Sequence, residues 1–173
     1  TALGVALSDQ YESHDNSPLL GPLVVWLGDL ASYHDLQGLH RLTQWHKTQN
    51  QIKPVRPVVV ILTNNNGGGI FHHLPIKQSE QFEQLFQTPL YSSVDTHRSC
   101  WQKIVQWLDI DQYYKVESKE SLQKALSYSL NEHLFSLVEV VLDPAVDHEM
   151  HLSFWSQATF GLSQVLEQRG KEH

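Results

Sequence analysis

Three short apolar runs constrain this chain more than any other feature. Leu23–Leu27 reads LVVWL between Gly21-Pro22 and Gly28-Asp29. Val58–Leu62 reads VVVIL and ends in the polar and glycine run Asn64–Gly69, and Phe135–Leu142 reads FSLVEVVL. A strand with one wet face alternates apolar and polar residues, whereas a brief unbroken run between breakers predicts a strand buried on both faces. Helical stripes lie between the runs: Leu36, Leu39, Leu42 and Trp45 within Tyr33–Trp45, Phe82, Leu85 and Phe86 within Ser79–Phe86, and Trp101, Ile104, Val105 and Leu108 within Arg98–Leu108. Lys47–Pro57 is polar, carries two prolines and reads as a loop. Tyr113–Val116 reads as a further strand, Ser118 as the N-cap of a helix through Leu122, Ala125, Leu126 and Leu130, and Phe154–Leu166 as a last helix. Strands alternating with helices predict an α/β fold: a doubly wound, mainly parallel sheet with helices on both faces.

At 173 residues, 40% of them hydrophobic, the chain is one domain's worth with material for a core. Twelve Lys and Arg against 19 Asp and Glu give a formal charge of −7, and without a basic block nucleic acid is a poor partner. Cys100 is the sole cysteine, which excludes an internal disulfide and a cysteine-based zinc cluster and points to a reducing, cytoplasmic setting. No apolar run is long enough to cross a bilayer. Thr1–Leu7, with Ala2, Val5 and Ala6 on one helical face, reads like the middle of a helix, so the sequence is expected to be a piece of a longer chain whose exposed apolar surface favours self-association.

In parallel sheets ligands gather beyond the carboxyl ends of the strands. Two of the three strong strands end in unusual chemistry, Gly28-Asp29-Leu30 and Asn64-Asn65-Asn66-Gly67-Gly68-Gly69. A carboxylate, an amide oxygen and a turn with bare backbone form an oxygen set for Mg²⁺, which shares its remaining positions with phosphate and water. Free N–H groups at the helix start after Asp29 suit a phosphate, and glycines allow close approach. The residues by themselves therefore point to a Mg²⁺–diphosphate site.

The wording around these motifs goes further. GDLASYHDLQGL at Gly28–Leu39 and NNNGGGIFHHLP at Asn64–Pro75 resemble the SEPHCHC synthases, thiamine-diphosphate enzymes of menaquinone and phylloquinone biosynthesis. Leu30, Ile70-Phe71 and Leu74-Pro75 are the discriminating details, and later elements follow the family's order to the end of the chain. The resemblance implies that residues 1–173 are the C-terminal thiamine-diphosphate-binding domain, incomplete on its N-terminal side, of a three-domain chain. It implies Asp29, the Asn65 side chain and the Gly67 carbonyl as ligands of Mg²⁺ or Mn²⁺. Gly28, Leu30, Ala31 and Gly68 would line the cofactor's diphosphate together with the metal ligands, while Ile70, Phe71 and Leu74 would wall the thiazolium and the substrate. The substrates it implies are 2-oxoglutarate and isochorismate, in a homo-oligomer (dimer or tetramer). The activating glutamate and most carboxylate-binding basic residues of that family lie outside this segment, so no catalytic residue is assigned here and the piece alone is expected to be inactive. From Asp29 to Asn65, 29 to 65, is 36 positions, longer than the family's usual spacing, and the excess fits the loop His46–Arg56. Another thiamine-diphosphate carboligase or decarboxylase, of the acetohydroxyacid synthase kind, is the alternative, as is a non-catalytic module of the same fold.

The remaining candidates read as structural. His34, His40 and His46 do not stack on one helical face. His72 and His73 stand out among the 11 histidines only by following the glycine turn. The tryptophans read as packing residues, Cys100 as an inert thiol, and Asp35 as a favourable charge near a helix start. Asp109, Asp111, Glu117 and Glu120 read as a solvated acidic face.

Overall fold

A computed structural model describes residues 2, 4–6, 21–52, 55–65, 67, 69–81, 100–131 and 134–170. Strand β1 (Leu23–Gly28) runs directly into the short helix α1 (Asp29–His34), followed by α2 (Leu36–Asn50) and β2 (Val58–Asn64). Two 3₁₀ turns, Gly69–His73 and Pro75–Gln78, come next. Then follow α3 (Cys100–Leu108), β3 (Gln112–Val116), α4 (Lys119–Asn131), β4 (Phe135–Val141) and α5 (Pro144–Gly170). The four strands pair in the order β1-β2-β4-β3, every pair parallel.

The two central strands explain the unbroken apolar runs. Side chains alternate across a strand, so Val58, Val60 and Leu62 of β2 join Phe135 and Leu137 of β4 on one face, packed on Leu39 and Leu42 of α2 and Trp101, Val105 and Leu108 of α3. Val59 and Val138 face the other way onto Ala125, Leu122, Leu126 and Leu130 of α4. Helices therefore cover both faces, as expected. Full burial of the Val, Leu and Phe side chains of β2 and β4 stabilises the fold by roughly 1.5–3 kcal/mol each. Ser118 caps α4: its Oγ accepts from the Ser121 N–H, and the Ser121 Oγ accepts from the Ser118 N–H, both at 3.1 Å.

Several expectations need correction. β1 is not buried on both faces: it is an edge strand whose Val24 and Trp26 are 47% and 73% exposed, because no described element covers that side. The helix expected over Tyr33–Trp45 is two helices, broken at Asp35, whose carboxylate accepts from the Gly38 N–H at 3.1 Å and starts α2 afresh. α2 then runs on to Asn50, so the first part of the expected loop is helical. The last helix begins ten residues earlier than Phe154 and spans 27 residues. Asp143 starts it by accepting from the N–H groups of Ala145 (2.8 Å) and Val146 (3.2 Å), with Pro144 in the first helical position. The helix expected over Ser79–Phe86 falls mostly outside the described residues, and Ser79–Gln81 are not helical. Asp111 is more than a solvated charge, since it accepts from the Phe135 N–H at the start of β4 at 2.9 Å.

Leu137 lies in the middle of this core, fully buried on β4. Leu137→Ala is expected to lower unfolding free energy by about 2–5 kcal/mol, while exposed Lys124→Ala stays within about 0.5 kcal/mol. Denaturant midpoints of the two variants measure the difference.

Candidate functional site

Parallel pairing brings the ends of β1 and β2 together, with Gly28 opposite Thr63. Asp29, the first residue of α1, is 4% exposed at that edge. Its Oδ1 accepts from the Leu30 N–H at 2.8 Å, and its Oδ2 accepts from the Gly67 N–H at 2.5 Å. One carboxylate thus joins the two motifs that the sequence separates by 38 positions. Gly67 is buried with φ 78°, in the left-handed region that glycine adopts without strain. Burial pushes the Asp29 carboxyl above the ordinary carboxylate range, opposed by the N–H donors of Leu30 and Gly67, while the negative Glu139 pushes it further up. No described cation faces this buried charge.

The two asparagines after the β2 run have different surroundings. Asn64 is 1% exposed; its Nδ2 donates to Glu139 Oε1 at 2.6 Å and its carbonyl accepts from the Leu142 N–H at 2.8 Å. Glu139, fully buried on β4, also accepts the Tyr113 hydroxyl from β3. Asn65 is half-buried, and its Nδ2 donates to Asp147 Oδ2 on the first turn of α5 at 3.0 Å. A Cβ at Gly69 would collide with the Asn65 amide as it is placed, so a side chain there would displace that amide.

Of the other sequence candidates, Gly28 ends β1 at the surface, Leu30 is half-buried and Ala31 exposed. Gly68 lies outside the described residues. Ile70, Phe71 and Leu74 follow the glycine turn, with Ile70 and Leu74 exposed and Phe71 half-buried, leaving apolar surface at the sheet edge. Asp29, Asn65 and Gly67 are brought to one edge. Glu139, Tyr113, Asp147 and Gly69 were not anticipated. Glu139 left a usable signal, a lone carboxylate inside an apolar strand; Asp147, 82 positions from Asn65, left none.

Beside this edge four histidines meet. The rings of His73 and His148 are 4.7 Å apart between centroids, His73 and His151 5.5 Å, and His72 and His148 5.9 Å. His151 Nε2 lies 3.7 Å from Asp147 Oδ1. Among the described residues no three or more His, Cys, Asp or Glu are arranged to hold a metal ion, and the histidines are packing groups of the contact between α5 and the 3₁₀ turn.

No protein-family model matches the chain. The structure of benzoylformate decarboxylase from Polynucleobacter necessarius superimposes with a TM-score of 0.52 at 21% identity, over 83% of this chain and 23% of that one. That likeness shows the fold: the parallel α/β sheet with helices on both faces that the sequence leads one to expect. The nearer relationship is in sequence. The 2-succinyl-5-enolpyruvyl-6-hydroxy-3-cyclohexene-1-carboxylate (SEPHCHC) synthase of Salinibacter ruber is 34% identical over 131 residues, 76% of this chain, and that of Bacillus cytotoxicus 28% over 152 residues, 87% of it. The resemblance to SEPHCHC synthases therefore extends over most of this chain, which spans 19% and 23% of the length of those two relatives.

Desolvation holds His148 below the ordinary histidine value of 6.5, helped by Lys77, His73 and His72 and opposed by Asp147. A lowered folded-state value means that its contribution to stability is complete above about pH 6.5 and is lost as the pH falls through the folded value. Lowering the pH is therefore expected to loosen α5 from the 3₁₀ turn, and His148→Gln to flatten that dependence. Hydrogen exchange of the first α5 turns against pH checks both.

Proposed function

We propose that this chain is the cofactor-binding part of a SEPHCHC synthase. In this reading residues 1–173 form the C-terminal thiamine-diphosphate-binding domain of a longer enzyme that decarboxylates 2-oxoglutarate and adds the product to isochorismate. The observation that carries it is the Asp29–Gly67 link, which holds the Gly-Asp motif and the Asn-Gly turn against each other at one sheet edge.

The residues fit a divalent cation carrying a diphosphate. Asp29 is a buried carboxylate without a described cationic partner, the Asn65 oxygen accepts no hydrogen bond among the described residues, and the left-handed turn at Gly67 brings backbone against Asp29. Asp29, the Asn65 amide oxygen and the Gly67 carbonyl would hold Mg²⁺ or Mn²⁺, whose role is to tether the diphosphate and neutralise its charge. Thiamine diphosphate, when bound, supplies the electron sink for the decarboxylation. Gly28, Leu30, Ala31 and Gly68 would lie along the diphosphate. Ile70, Phe71 and Leu74 present apolar surface that would exclude water beside the reacting carbons. The exposed edge of β1 and the apolar side chains Met150, Phe154, Trp155 and Phe160 of α5 suit burial against further protein, in keeping with a homo-oligomer in the cytoplasm. Among the described residues no helix is long and apolar enough to cross a membrane.

In the complete protein, Asp29→Asn is expected to weaken Mg²⁺-dependent thiamine diphosphate binding by about a hundredfold, the scale set by losing a buried charged partner. Unchanged affinity in a calorimetric titration overturns the metal assignment. Isochorismate consumption that requires thiamine diphosphate, Mg²⁺ and 2-oxoglutarate together tests the reaction. Cofactor binding with no consumption moves the assignment to another thiamine-diphosphate carboligase or decarboxylase.

A further inference from the structure

An asparagine amide has two ends of nearly equal size and opposite chemistry. Only its oxygen can ligate a hard cation; its NH₂ group, turned the same way, presents hydrogens. A metal site built on Asn65 therefore needs something that selects between two orientations related by a half-turn of the amide. Nothing in the sequence around Asn65 does so, since its neighbours in the turn are asparagine and glycine.

The selecting group comes from the other end of the chain. Asp147 Oδ2 sits 3.0 Å from Asn65 Nδ2. An ionised carboxylate only accepts hydrogen bonds, so it pairs with the NH₂ end and opposes the oxygen end. The half-turned amide would set the Asn65 oxygen against the Asp147 oxygen. Asp147 is itself held in place: its N–H donates to the Asp143 carbonyl at 2.9 Å on the first turn of α5, and His151 lies 3.7 Å from its other oxygen one turn on. Gly69 completes the arrangement, because a side chain there would occupy the space of the Asn65 NH₂ group.

We propose that Asp147 is a positioning residue that fixes the Asn65 amide with its oxygen free to face a divalent cation. The inference rests on the cation site proposed above and adds to it a residue outside both motifs. It also gives the docking of α5 on the glycine turn a role: α5 carries the group that orients the ligand.

The test uses the complete protein, with Mg²⁺ titrated calorimetrically in saturating thiamine diphosphate and the melting temperature of the cofactor-free protein measured in parallel. Asp147→Ala is expected to raise the Mg²⁺ Kd about 10–100-fold, the usual effect of losing a group that orients a metal ligand, with kcat recovered at saturating Mg²⁺. Asp147→Asn keeps an acceptor oxygen and is expected to lose less than Asp147→Ala. The decisive comparison is Asn65→Asp, whose two oxygens have no wrong orientation. In that background Asp147→Ala is expected to leave Mg²⁺ affinity unchanged or improved, because a nearby negative charge has gone. A structural role alone would carry the same loss through both backgrounds, and that result overturns the proposal. So does an unchanged Kd for Asp147→Ala when Asp29→Asn and Asn65→Ala both weaken Mg²⁺ binding. If those two variants also bind Mg²⁺ normally, the cation site itself is wrong and the positioning role falls with it.

Discussion

A buried carboxylate just past the end of an edge strand organises the carboxyl edge of this sheet. Asp29 accepts the N–H of its own helix start and the N–H of Gly67, so the turn after β2 is held against the end of β1. Such a group is costly to bury, because leaving water penalises the charged form. Two backbone donors offset part of that cost and the rest shows as an upward shift of its carboxyl. A buried carboxylate whose hydrogen bonds come from backbone N–H groups and not from a described cation is the feature on which the proposed cation site rests.

Behind Asp29 a second polar layer ties the remaining strands together. Asn64 from β2, Glu139 from β4 and Tyr113 from β3 meet in a buried network beneath the turn. Parallel strands all place their carboxyl ends at one edge, so polar residues near those ends converge without any local sequence pattern to announce it. Below them the core is apolar on both faces, which keeps the network at the edge and leaves the middle of the sheet dry.

The third contribution comes from α5. Its first turns touch the 3₁₀ turn through His148 and His151 and reach Asn65 through Asp147, while much of its later surface is apolar and exposed. The helix is thus anchored where it meets the Asn-Gly turn and carries exposed apolar side chains along its later turns. That division follows from composition: His and Asp near Pro144, then Phe154, Trp155, Phe160 and Leu162 along the outer turns.

What could be read in the sequence was set by short-range physics. The apolar runs of β2 and β4, the Ser118 cap and the strand ends at Gly28-Asp29 and Asn64 each depend on neighbours in the chain, and all are found as expected. Where sequence reading failed, a distant partner decided the outcome. LVVWL looks like a central strand until its place at the sheet edge leaves Trp26 uncovered, and the last helix, expected from Phe154, begins at Pro144, where Asp143 caps it. Asp147 left no signal as a site residue, and Glu139 only that of a lone carboxylate in an apolar strand, because the docking of α5 and the pairing of β2 with β4 bring residues 82 and 75 positions apart into hydrogen-bond contact. Apolar periodicity and turn residues act locally, so the fold class and the identity of the residues at the two strand ends were legible before any packing was known. Which carboxylates stand behind the asparagines depends on the pairing of β2 with β4 and the docking of α5, and is visible only in the folded chain.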